Sequence, residues 1–91
     1  MHVHGIVMSA TLEEDPADPD RVDMQIVAQG VGPGQPRRIV VPMEILVANP
    51  EIEPETIAGH SFEAEIHEVG PKRWVAESIG FAARRVLRPE A

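Results

Sequence analysis

Alternation of apolar and polar residues dominates this chain. In RVDMQIVAQG, residues 21–30, Val22, Met24, Ile26 and Ala28 alternate with Arg21, Asp23, Gln25 and Gln29. That spacing predicts a strand with one buried and one wet face, broken on the wet side only by Val27. HSFEAEIHE, residues 60–68, repeats the pattern, with Phe62, Ala64 and Ile66 on one face and Ser61, Glu63, Glu65 and His67 on the other. The opening HVHGIVMSATL also reads as a strand, with Gly5 marking a bulge or a sharp bend. RRIVVPMEILV, residues 37–47, is β-branched and strand-like, and Pro42 removes a ladder donor, which implies an edge, a bulge or a strand end there. The run from Trp74 to Phe81 supplies a fifth strand.

The connections are chemically distinct. EEDPADPD, residues 13–20, holds two Asp-Pro steps and predicts an acidic loop. GVGPGQP, residues 30–36, is a Gly-Pro turn, and GPK, residues 70–72, is a tight turn. NPEIEPETIAGH, residues 49–60, predicts one short helix: Pro54 suits its first position, Glu55 its positive dipole end and Gly59 a left-handed cap. AARRVLRPEA, residues 82–91, reads as a short helix or a tail. The order is strand, strand, strand, helix, strand, strand, in one domain spanning residues 1–91. The predicted fold is all-β: an OB-like, five-stranded Greek-key barrel with one short helix between strands 3 and 4. The helix position favours it over an SH3-like barrel.

Composition narrows the class. An apolar fraction of 43% is enough for a core, and Phe62, Trp74 and Phe81 are the only aromatics, so that core is aliphatic. No cysteine is present, which excludes disulfides, thiolate metal sites and a Cys nucleophile. The N-terminus lacks the pattern of a signal peptide, and no apolar run approaches the roughly 20 residues that span a bilayer. The expectation is a soluble, cytoplasmic protein with no membrane partner, for which dimerisation or a larger homo-oligomer would offset the small core.

Charge is unevenly spread. The formal net charge is −7, but the acids concentrate in residues 13–23 and 44–68, while Arg37 and Arg38 precede one strand and Lys72 and Arg73 another. Whole-chain charge argues against indiscriminate nucleic-acid binding and leaves room for a local basic face.

WVAESIGFAARR resembles the last barrel strand of bacterial single-stranded-DNA-binding proteins and the related primosomal protein of replication restart. The resemblance lies in Val75, Ala76, Glu77, Ile79 and Phe81, in Gly59 ahead of FEAEI, and loosely in GIVMSATLEEDP. It implies an OB-fold and binding of single-stranded nucleic acid. The chain departs from that group where stacking aromatics stand on the second and third strands, here VDMQIVAQ and RRIVVPM, and in lacking an acidic C-terminal tail.

The candidate nucleic-acid-binding residues are Lys72, Arg73 and Trp74, aided by Arg37 and Arg38. The cations suit phosphates and Trp74 suits base stacking. The plainer reading is that Trp74 caps the core while the cations solvate a turn or offset nearby acids. Arg84, Arg85 and Arg88 suit phosphate, an acidic surface of a second subunit, or a solvated tail. His2 and His4 form an H-x-H pair that lacks a fixed third metal ligand. The acidic loop has no calcium-loop pattern, and at the mouth of a binding face it would repel phosphate. No phosphate-loop or nucleophile-elbow motif is present, and no enzyme, metal or cofactor is expected. Two functions remain: a module for single-stranded nucleic acid, with Trp74 exposed beside the cations, or a protein-interaction or oligomerisation module, with Trp74 buried and an apolar patch or open edge outside.

Overall fold

The computed structural model describes residues 1–81. Five strands and two short helices follow in the order β1 (His2–Asp15), β2 (Asp18–Gln29), β3 (Arg38–Val41), α1 (Met43–Ala48), α2 (Pro54–Ile57), β4 (Ser61–Gly70) and β5 (Arg73–Phe81). The strands form one sheet closed into a ring in the order β1-β2-β3-β5-β4. β1 is long enough to serve two neighbours: His2–Ile6 pairs with β4, and Ile6–Asp15 pairs with β2. Every pairing is antiparallel except β3 with β5, which run parallel through Val40 and Val75. No helix of the described residues is long and apolar enough to cross a membrane.

The alternating patterns sort as their periodicity predicts. Met24, Ile26 and Ala28 of β2 and Phe62, Ala64 and Ile66 of β4 are buried, joined by Val3 and Val7 of β1, Ile39 and Val41 of β3, Ala76 of β5 and Ile57 of α2. Phe62 is the one aromatic fully inside; Trp74 and Phe81 pack against the core and stay partly exposed. Gly5 is required by a close approach between strands, because a Cβ there would lie 2.8 Å from the Gln29 carbonyl oxygen. The register shifts of β1 against β2 fall between Val7 and Ser9 and between Glu14 and Asp15, not at Gly5.

Three expectations are corrected. In RRIVVPMEILV, Pro42 marks a strand end, one of the alternatives expected there, since β3 stops at Val41; the part after it is not strand, because Met43–Ala48 is helical. Pro42 cannot donate to the ladder, and its carbonyl instead accepts the N–H groups of Ile45 and Leu46. The Asp23 carboxylate accepts the Met43 N–H at 2.9 Å, a helix-starting bond between residues 20 apart that no local pattern reveals. Two helices therefore lie between β3 and β4 rather than one. The acidic stretch is also not a loop. β1 and β2 run through it, leaving only Pro16 and Ala17 as a turn, where the Asp15 carboxylate accepts the Ala17 N–H at 2.8 Å. That bond replaces a ladder contact at the sharp reversal.

The expected short helix is found as α2. Pro54 occupies its first turn, Glu53 and Thr56 form a reciprocal cap, and Gly59 adopts a φ of +87° just beyond its end.

Candidate nucleic-acid interface

The β3–β5 pairing decides what the site contains. Parallel neighbours start at the same end of a sheet, so the residues entering β3 lie beside those entering β5. Arg37 and Arg38 precede and open β3; Lys72, Arg73 and Trp74 close the β4–β5 turn and open β5. Four of these five candidates line one open groove of about 430 Å³: Arg37, Arg38, Lys72 and Trp74, with Gln35 and Pro36 completing its wall.

Trp74 stands at a boundary. It shares the face of Ala76, two residues on, which is core. It opposes Glu68 across β4, two register steps past the last buried pair, Ile66 with Ala76, with the pair of His67 and Val75 between them. One side of the indole therefore packs on the core and another lines the groove.

Lys72 is held in an uncommon conformation. Its φ of +60° is the only positive value among the described non-glycine residues. Pro71 and Lys72 are the two residues of the turn, and proline followed by a left-handed residue is a type II turn, where glycine is the usual second member. The Glu68 carboxylate accepts the Lys72 N–H at 3.1 Å and pins the turn. The side chain is thereby presented at the groove rim.

Arg73 goes elsewhere. Strand alternation puts it on the side opposite Trp74, in a cleft of about 290 Å³ lined by Glu13, Glu14, Asp15, Asp23 and Val40. The acids of the β1–β2 hairpin thus gather around Arg73 and not around the Trp74 groove.

Several other acids already have partners. Arg21 spans Asp23 at 3.2 Å and Glu44 at 2.8 Å. This bidentate contact holds Glu44 well below the usual carboxylate range, at about 2, and raises Arg21. His2 bridges β1 to β4 through Glu65 at 2.6 Å and Glu63 at 3.2 Å, and the Glu65 hydrogen bond raises its pKa above the ordinary value. His67 pairs with Glu77 at 2.9 Å. Among the described residues, Arg37, Arg38 and Lys72 form no ion pair within 4.0 Å.

His2 is engaged with Glu63 and Glu65, and no group of three potential metal ligands occurs among the described residues. Arg84, Arg85 and Arg88 lie outside the described residues. Sequence reasoning missed Gln35 and Pro36, which read only as parts of a turn. It also passed over the pocket at the opposite end of β5, where His60 is buried. Comparison of the chain with protein-family models, with curated proteins and with solved structures finds no match.

Proposed function

We propose that the chain is a non-catalytic binding module of OB type that holds single-stranded nucleic acid in the groove of Arg37, Arg38, Lys72 and Trp74. The observation that carries this reading is the groove itself. Two segments more than thirty residues apart in sequence bring three cations without described ion-pair partners around the chain's one tryptophan. Cations spaced around an aromatic face match a strand's alternation of phosphates and bases, and each base stacked on an aromatic side chain contributes about 1–3 kcal/mol.

The fold half of the proposal is supported by the ring order β1-β2-β3-β5-β4, by the double use of β1 and by helices between β3 and β4. An OB barrel binds oligonucleotides on the face flanked by its first and last hairpin loops. Here those are the turns at Pro16–Ala17 and Pro71–Lys72. The first is acidic and the second basic, so the strand is placed on the Lys72 side.

A protein-interaction or homo-oligomerisation module is the second reading. It is favoured by Met8 and Leu12, large apolar residues of β1 that are 50% and 55% exposed, and by the unpaired β3-facing side of Asp18–Asp23.

Titration with oligo-dT and oligo-rU at about 20 and 200 mM salt separates the readings. Three neutralised phosphates on a single strand predict a log–log salt slope of about −2, hence roughly 100-fold weaker binding across that range. Binding that is absent at low salt, with a concentration-dependent increase in molecular mass, supports the second reading instead.

A further inference from the structure

The groove at Trp74 has a one-sided hydrogen-bonding wall. Arg37, Arg38, Lys72 and Trp74 line it, and among the described residues no carboxylate, hydroxyl or imidazole does. Guanidinium, ammonium and indole groups donate hydrogen bonds and accept none. Gln35 is the one lining residue whose side chain also holds an acceptor, and its amide oxygen already accepts the Gly32 N–H at 3.1 Å. The Arg37 carbonyl is likewise engaged, accepting the Ala28 N–H at 2.7 Å. Glu68, the cross-strand partner of Trp74, is not part of the lining, and its carboxylate accepts the Lys72 N–H at 3.1 Å. The cleft at Arg73 is the opposite case, with the carboxylates of Glu13, Glu14, Asp15 and Asp23 in its wall.

A base that stacks on Trp74 turns its edge toward these donors. Thymine, uracil and guanine carry a carbonyl on that edge where cytosine and adenine carry an amino group. A carbonyl accepts a charge-assisted hydrogen bond from an arginine or lysine. An amino group brings a further donor to a wall whose side-chain acceptor is already engaged, and a polar group left without a partner is unfavourable. We propose that the groove discriminates among single strands by base class, holding the carbonyl-bearing bases thymine, uracil and guanine more tightly than the amino-bearing cytosine and adenine. This inference rests on the nucleic-acid reading of the groove. It adds a selectivity that phosphate contacts cannot supply, since every strand offers the same phosphates.

The test uses strands of equal length in which one base alternates with abasic sites, so that the bases do not stack on one another. Uracil is compared with cytosine, and hypoxanthine with adenine; each pair shares a ring system, and hypoxanthine carries no amino group. Binding at about 20 mM salt is read by anisotropy of the labelled strand and by Trp74 fluorescence. The expected result is affinity about fivefold to tenfold higher for the carbonyl base in both pairs, the size of one net hydrogen bond. Gln35→Glu keeps an oxygen for the Gly32 N–H and adds an acceptor to the wall. It should weaken all four strands and bring the ratio to about one or below. Equal affinities within either pair, or tighter binding of the amino base, overturn the base discrimination and leave the nucleic-acid reading standing. A ratio unchanged by Gln35→Glu also overturns it, because the wall would then not be its source. Failure of all four strands to bind overturns the nucleic-acid reading and this inference with it.

Discussion

Arg73 and Trp74 are adjacent in the chain and line different clefts. Trp74 lies with Arg37, Arg38 and Lys72, whereas Arg73 lies with Glu13, Glu14, Asp15 and Asp23. Alternation along β5 separates them, and it divides a basic cluster that looks continuous in sequence into a groove member and an outlier.

This division predicts unequal effects of charge removal. Arg38→Ala and Lys72→Ala should each weaken oligo-dT binding and flatten the log–log salt slope by about 0.7. Arg73→Ala should leave that slope unchanged. Anisotropy of a labelled oligonucleotide across a salt series reads both quantities, and a slope change for Arg73→Ala as large as for the other two would remove the basis for excluding it.

Lys72 separates stability from binding. A non-glycine residue in the left-handed region costs about 1–2 kcal/mol, and glycine relieves this while adding unfolded-state entropy. Lys72→Gly should therefore hold or raise stability, by up to about 1 kcal/mol, while weakening oligonucleotide binding. Thermal unfolding beside a binding isotherm measures the two. A destabilised variant would mean that the lysine side chain, not its backbone, supports the turn.

Gly5 is required by the approach of β1 to β2. Gly5→Ala would set a methyl group 2.8 Å from the Gln29 carbonyl oxygen, and overpacking of this kind costs about 1–3 kcal/mol. Urea unfolding of the variant should show a lower midpoint with an unchanged slope. An unchanged midpoint would show that the strands separate there at no cost.

The His2 bridge gives stability a pH dependence with a defined sign. Its pKa is raised from 6.5 in the folded chain by the hydrogen bonds its ring N–H groups donate to the Glu65 and Glu63 carboxylates. The folded state therefore binds the proton more tightly than the unfolded state. The resulting stabilisation is complete below the unfolded value and is lost as pH rises through the higher, folded value. Relative to His2→Gln, the native chain should be more stable in mild acid, with the difference closing as the solution becomes alkaline. A difference that grows with pH would contradict the bridge.

Much of the fold was legible in the sequence because the core faces of β2 and β4 alternate without interruption through Met24–Ala28 and Phe62–Ile66. Helix α2 was legible through Pro54 and Gly59, which act locally. Helix α1 was not, because β-branched and leucine residues suit either state and its start depends on Asp23, distant in sequence. The extension of β1 and β2 through the acidic stretch was hidden because a two-residue turn accommodates Pro16 where a longer loop was expected. For the site, the residues were legible and their grouping was not. Arg37 and Arg38 meet Lys72 and Trp74 only because β3 and β5 are parallel neighbours, a pairing that leaves no mark on either segment.

The most direct test of the central claim uses Trp74, since no other tryptophan contributes to the emission. Its fluorescence would be followed during titration with oligo-dT at about 20 mM salt and again at about 200 mM. The account predicts a saturable change in emission at low salt, with affinity falling roughly 100-fold at the higher salt, consistent with three phosphate contacts. An emission unchanged by oligonucleotide, with no binding detected by anisotropy at low salt, would contradict the assignment of this groove to nucleic acid.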